Sequence, residues 1–129
     1  MANLKQRVVV VGASPKPERY ANRAIRLLLE HGHDVIPVHP AVDSIEGVAV
    51  MPRLSGITGP VDTVTLYVSA AISTTMEEAL IKLQPGRVIF NPGAENPGLQ
   101  AALAANGIDT EDACTLVLLH SNQFSPDIL

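Results

Sequence analysis

The sequence predicts an α/β fold: a three-layer open sheet of about five strands, mostly parallel, with helices on both faces. Three observations predict it. Val8 to Val11 form an unbroken apolar, β-branched run, as expected of a strand buried on both faces at the centre of a parallel sheet. Strand-like and helix-like segments then alternate along the chain, which demands right-handed crossovers. The composition is 47% apolar but only 3% aromatic, without tryptophan, so the core must be built from Val, Leu, Ile and Ala. At 129 residues the chain fits one domain, 1–129, long enough to bury roughly two thirds of its unfolded surface.

The elements follow in order. After the valine strand come Gly12, Ala13 and Ser14, small enough for a ligand to approach the backbone, and then the polar, basic segment Pro15 to Tyr20. Ala21, Ala24, Ile25, Leu28 and Leu29 recur at helical spacing, with Arg23, Arg26 and Glu30 on the other face, and Gly32 ends the helix. Val35 to Val38 make a second strand, closed by His39-Pro40. A weakly structured crossing follows, with a short edge strand expected at Gly47 to Met51 and a helical turn at Pro52 to Ile57. Val61 to Val68 is the third main strand. Ile72, Met76, Ala79, Leu80 and Leu83 form the next helical stripe, whose start holds Ser69, Ser73 and Thr74, the last at capping-box spacing from Glu77. Arg87 to Asn91 is a fourth strand. Asn96-Pro97 reads as an N-cap followed by proline at the first helical position, with Leu99, Ala102 and Leu103 facing inward. Ile108 to Thr110 is a short last strand, and Leu116 to Leu119 is too brief to assign to strand or helix.

Charge and composition narrow the function. A net charge of −4 and the lack of aromatics speak against a general nucleic-acid binder, which needs a basic face and stacking rings. No stretch approaches the roughly 18 apolar residues of a membrane span. Met1 to Gln6 is short and polar, unlike a signal peptide, and the lone Cys114 suits a reducing compartment. A cytoplasmic protein without membrane association is expected.

In open parallel sheets, ligands bind at the carboxyl ends of the strands where strand order reverses. Gly12–Tyr20, Val38–Pro40, Tyr67–Ser69 and Asn91–Gly93 should therefore converge on one crevice. Strand, small-residue turn and helix start point backbone N–H groups and the positive end of a helix dipole at one spot, which suits phosphate. Lys16 and Arg19 beside that turn suit a ligand with more than one phosphate group; Arg23 and Arg26 read as solvated surface charges. The turn lacks the further glycines of a dinucleotide fingerprint and the Gly-Lys-Ser/Thr of a P-loop. His39-Pro40 also stands where a nicotinamide-nucleotide site places an acid for the ribose.

The segments V-V-G-A-S-P-K-P, V-I-P-V-H-P, P-V-D-x-V-x-x-Y-V and E-D-A-C-T-L-V occur in the order and at the spacing of the small stand-alone CoA-binding proteins. They are also similar to the amino-terminal domain of the succinyl-CoA synthetase alpha subunit. The resemblance covers nearly the whole chain and implies a Rossmann-like domain that binds coenzyme A. By that carry-over Gly12, Ala13, Ser14, Pro15 and Lys16 hold phosphates, with Arg19 and Tyr20 alongside. Val38, His39 and Pro40 line the adenosine side; Tyr67, Val68, Ser69, Asn91, Pro92 and Gly93 line the path of the pantetheine arm. The synthetase has Gly-Lys just after the proline equivalent to Pro40, whereas Ala41-Val42 follow here, so that cation is missing. The loop N-P-G-A-E-N also departs from the synthetase's threonine-glutamate version.

No catalytic constellation stands out. His31 and His33 flank Gly32 and are expected to cap or face solvent; His39 faces the crevice; His120 is structural or exposed. No histidine and cysteine spacing suggests a metal site. Cys114 reads as a buried small residue, Asp109, Glu111 and Asp112 as a solvated acidic turn, and Glu77-Glu78 as the exposed side of a helix. The leading expectation is a CoA- or acyl-CoA-binding module without visible catalysis. The alternatives are an NADP-type nucleotide-dependent enzyme, with Lys16 and Arg19 reading a ribose phosphate, and a CoA-sensing regulatory subunit. A homodimer or an unidentified protein partner is left open on fold analogy alone.

Overall fold

In the computed structural model, which describes residues 4–125, the valine run becomes the strand β1 (Arg7–Val11). It sits inside a parallel sheet with β2 (Asp34–Val38) on one side and β5 (Thr63–Leu66) on the other. β6 (Arg87–Phe90) and β7 (Asp109–Asp112) continue the sheet beyond β5, giving the order β2-β1-β5-β6-β7. Val8, Val9 and Val10 are fully buried because helices cover both faces. Val9 and Val11 share a core with Val64, Leu66, Leu80, Val88, Phe90, Leu99 and Leu103. Val8 and Val10 face the other way, against Ile25, Leu28, Ile89, Leu119 and Phe124. The helices divide accordingly: α1 (Tyr20–Glu30) and α5 (Thr115–His120) on one face, α3 (Glu77–Leu83) and α4 (Pro97–Ala105) on the other. Asn96 caps α4 as expected, its Oδ1 accepting from the Leu99 N–H at 3.1 Å.

Several expectations are corrected. The crossing after β2 holds a hairpin of β3 (Ser44–Ile45) and β4 (Val48–Ala49) rather than a lone edge strand. A 3₁₀ turn at Leu54–Gly56 matches the expected helical turn. The stripe from Ile72 to Leu83 is two helices, α2 (Ala70–Thr74) and α3, broken at Thr75–Met76. There the Thr75 hydroxyl donates back to the Ile72 carbonyl oxygen at 2.6 Å, competing with the helical ladder. No capping box forms: the Thr74 hydroxyl accepts from Asn96 Nδ2, and Met76 precedes α3 without a side-chain cap. The segment with Leu116 to Leu119 is the helix α5.

Two further expectations are corrected. The His33 N–H does cap the end of α1, donating to the Leu28 carbonyl oxygen at 3.1 Å, but its side chain is buried rather than facing solvent. Its Nδ1 accepts from the Gln6 N–H at 3.0 Å, its ring packs 5.2 Å from that of Phe124, and burial lowers its pKa. Asp109, Glu111 and Asp112 belong to β7 rather than to a turn, and Glu111 pairs with Arg87 at 3.1 Å.

Candidate functional site

From β1 the chain crosses to β2 on one side of the sheet, and then to β5 on the other. Strand order thus reverses between β1 and β5, and the loops that leave their carboxyl ends diverge. A crevice of about 540 Å³ opens there. The turn after β1 supplies Gly12, Ser14, Pro15 and Lys16 to its wall, and the start of α1 supplies Arg19 and Tyr20. Tyr67, Val68 and Ser69 follow β5, Pro92 and Gly93 follow β6, and His39 closes the side at β2.

Gly12 is required by the geometry. Its φ is +82°, and a Cβ built on it would stand 2.9 Å from the Tyr67 carbonyl oxygen. The turn can therefore pass close under β5 only without a side chain. Beyond it, among the described residues, the N–H groups of Ala13 and Ser14 have no hydrogen-bond acceptor. The Lys16 N–H is held by Ser14 Oγ at 3.1 Å. α1 begins without a side-chain cap and without an acidic residue in its first turn, so nothing on the helix itself neutralises its positive end. The loop is clamped from behind by two residues that the sequence reading did not assign to the site. Buried Asn22 donates to the Ser14 carbonyl oxygen at 2.9 Å and accepts from Arg26 Nε at 2.8 Å. Arg26 in turn donates to the Pro17 carbonyl oxygen at 2.8 Å. Arg26, exposed as expected, thus also anchors the loop, whereas Arg23 lies over the Tyr20 ring at 5.4 Å. The i, i+4 spacing of Asn22 and Arg26 was the available signal.

Ala13, Val38 and Pro40 line a second cavity of about 550 Å³, which shares Gly12, His39 and Val68 with the crevice. Ala13 and Val38 are themselves buried, so their side chains serve the core. His39 Nδ1 accepts from the Ala41 and Val42 N–H groups at 3.0 and 3.2 Å, which fixes the ring between the two spaces. Pro52 and Arg53 complete the far wall.

Asn91 does not present its side chain to the crevice. Its amide donates to Thr65 Oγ1 at 2.7 Å and to the Leu66 carbonyl oxygen at 2.9 Å, and its Oδ1 accepts from the Thr115 N–H at 2.9 Å. It staples the ends of β5 and β6 to the start of α5. Beside it a smaller cavity of about 250 Å³ is lined by Tyr20, Tyr67, Pro92 and half-buried Cys114. The Tyr67 hydroxyl is enclosed without a hydrogen-bond partner among the described residues, while the Thr65 and Thr115 hydroxyls bond each other at 2.8 Å. Burial pushes its pKa up to about 12, so it stays protonated. In the loop after β6 the Gly93 N–H donates to both carboxylate oxygens of Glu95, at 3.0 and 3.1 Å.

With this geometry the sequence comparison is decisive: the model of the CoA binding domain family matches residues 6–120. This chain belongs to the CoA-binding domain family. A crystal structure of an uncharacterized protein is 38% identical with a TM-score of 0.88, covering 95% of this chain and 100% of that one. Uncharacterized protein YneT of Bacillus subtilis (strain 168) is 34% identical over 62 residues, or 48% of this chain. The match spans 46% of that curated relative's length. The dinucleotide-forming acetyl-coenzyme A synthetase 1 of Ca. Korarchaeum cryptofilum, in complex with phosphate and ADP, has a TM-score of 0.71 over 81% of this chain and 25% of that one. At 22% identity that likeness shows the fold, which is Rossmann-like. No helix among the described residues is long and apolar enough to cross a membrane, and none of their His, Cys, Asp and Glu side chains cluster as a metal site would require.

Proposed function

We propose that this protein binds coenzyme A in the crevice between β1 and β5, with the diphosphate at the Gly12–Lys16 turn. The observation that carries the reading is that turn. Backbone N–H groups without acceptors, an uncapped helix start and the side chains of Lys16 and Arg19 meet at one strand end. The adenosine extends past His39 into the second cavity, along Val38 and Pro40, and the pantetheine arm crosses Tyr67–Ser69 and Pro92–Gly93. Each of the two adjoining spaces is of the size of a ligand pocket. Family membership supports the same ligand. We assign the protein no reaction. The titratable groups of the crevice include two cations and an imidazole bound to its own turn, and none of these pairs with a carboxylate among the described residues.

Calorimetric titration with CoA, acetyl-CoA and NADPH tests this. The CoA species bind, and a Lys16→Ala, Arg19→Ala double variant weakens them by roughly tenfold or more, the worth of one or two charge-assisted contacts to phosphate. Tighter binding of NADPH than of either CoA species overturns the reading in favour of a nicotinamide enzyme.

A further inference from the structure

Most cations of the described residues are engaged within the protein. Arg7 donates to the Thr58 and Pro60 carbonyl oxygens, Arg26 to Asn22 and Pro17, and Arg87 to Thr63 and Glu111. Lys5 pairs with Asp34, and Arg23 covers the Tyr20 ring. The side chains left without such contacts among the described residues are those of Lys16, Arg19, Arg53 and Lys82. Lys82 lines neither space, but the other three line the two adjoining ones: Lys16 and Arg19 the crevice, Arg53 the cavity beyond His39.

Arg53 comes to that cavity by a pairing of the backbone. Met51 runs parallel to the end of β2, bridging Val38, donating to the Pro37 carbonyl oxygen at 2.9 Å and accepting from the His39 N–H at 3.1 Å. Two residues on, Arg53 lies at the bend that leads into the 3₁₀ turn Leu54–Gly56 and lines the cavity together with Val38 and Pro40.

Positive charge therefore stands on both sides of His39, which suits a ligand with a diphosphate and a separate monophosphate. The geometry points to Arg53 as the residue that grips the ribose 3′-phosphate of coenzyme A, making that phosphate a determinant of affinity. This rests on the CoA-binding reading above. The guanidinium is the fitting group, since its fork of donors matches two oxygens of one phosphate.

The test is calorimetric titration of the full chain with CoA and with 3′-dephospho-CoA, for the wild type and for Arg53→Ala, Arg53→Lys and Lys16→Ala. The wild type prefers CoA by roughly tenfold, the worth of one charge-assisted contact. Arg53→Ala removes that preference by weakening CoA alone, Arg53→Lys keeps part of it, and Lys16→Ala weakens both ligands alike. Arg53 is exposed, so the fold should tolerate each change; matching melting curves check this. An unchanged ratio of affinities in Arg53→Ala, or an equal loss for both ligands, overturns the role of Arg53 while leaving CoA binding intact. If neither ligand binds the wild type, the CoA-binding reading falls and this one with it.

Discussion

Replacing Gly12 by alanine tests the idea that the turn after β1 is shaped by close passage beneath β5. Two costs add. The residue sits at φ +82°, where a side-chain-bearing residue is disfavoured by about 1–2 kcal/mol. The new Cβ would also stand 2.9 Å from both the Tyr67 carbonyl oxygen and Val68 Cγ1. Tyr67 cannot simply retreat, because its N–H is bonded to the Val11 carbonyl oxygen at 2.9 Å, so the clash adds about 1–3 kcal/mol of overpacking. The sum, about 3 kcal/mol, leaves a domain of ordinary stability folded but lowers its melting temperature by roughly 10 °C. Gly107→Ala is the control: its φ is +79°, but no atom lies within 4 Å of the added carbon, so only the conformational cost of about 1–2 kcal/mol applies. Urea unfolding and thermal melts of both variants give the comparison. Equal losses at the two positions would refute the close-passage argument, since they would leave the Tyr67 carbonyl with no role.

Two other measurements probe the rest of the scaffold. His33 is buried with a lowered pKa, so the unfolded imidazole, at its usual 6.5, takes up a proton before the folded one does. Its contribution to stability is complete above pH 6.5 and is lost as pH falls through that value toward the folded pKa. Urea midpoints compared at pH 7.5 and 5 should therefore drop less in His33→Gln than in the wild type; identical pH slopes would contradict the buried neutral ring. Asn91→Ala strands the Thr115 N–H and removes two donated bonds, at a cost of about 2–3 kcal/mol by urea titration. A loss under about 0.5 kcal/mol would show that the staple between β6 and α5 carries little.

Much of the fold was readable because its signals are local. The valine run, the helical stripe of Ala21 to Leu29 and the Asn96-Pro97 start each depend on neighbours within a few residues, and each reappears in the structure. The break between α2 and α3 was not readable. An apolar stripe at helical spacing looks the same whether or not a threonine hydroxyl turns back on the ladder, and Thr74 was claimed by Asn96, 22 residues away. His33 was rightly placed at the end of α1, which its N–H caps, but only the approach of Gln6 and Phe124 gives its side chain a buried partner and a packed ring.

For the candidate site, the chain order of small residues, cations and strand ends foretold which segments would meet, since a parallel sheet with right-handed crossovers delivers every strand's carboxyl end to one rim. Which side chains face that rim was settled by contacts between distant parts of the chain. Asn91 was drawn inward because Thr65, Leu66 and Thr115 offered its amide buried partners, whereas Asn22 and Arg26 became anchors of the phosphate turn because the loop folds back over α1. Arg53 reached the cavity only through the pairing of Met51 with Val38. Periodicity and turn chemistry are written in short windows of sequence, but the satisfaction of a buried polar group depends on whatever the folded chain brings beside it.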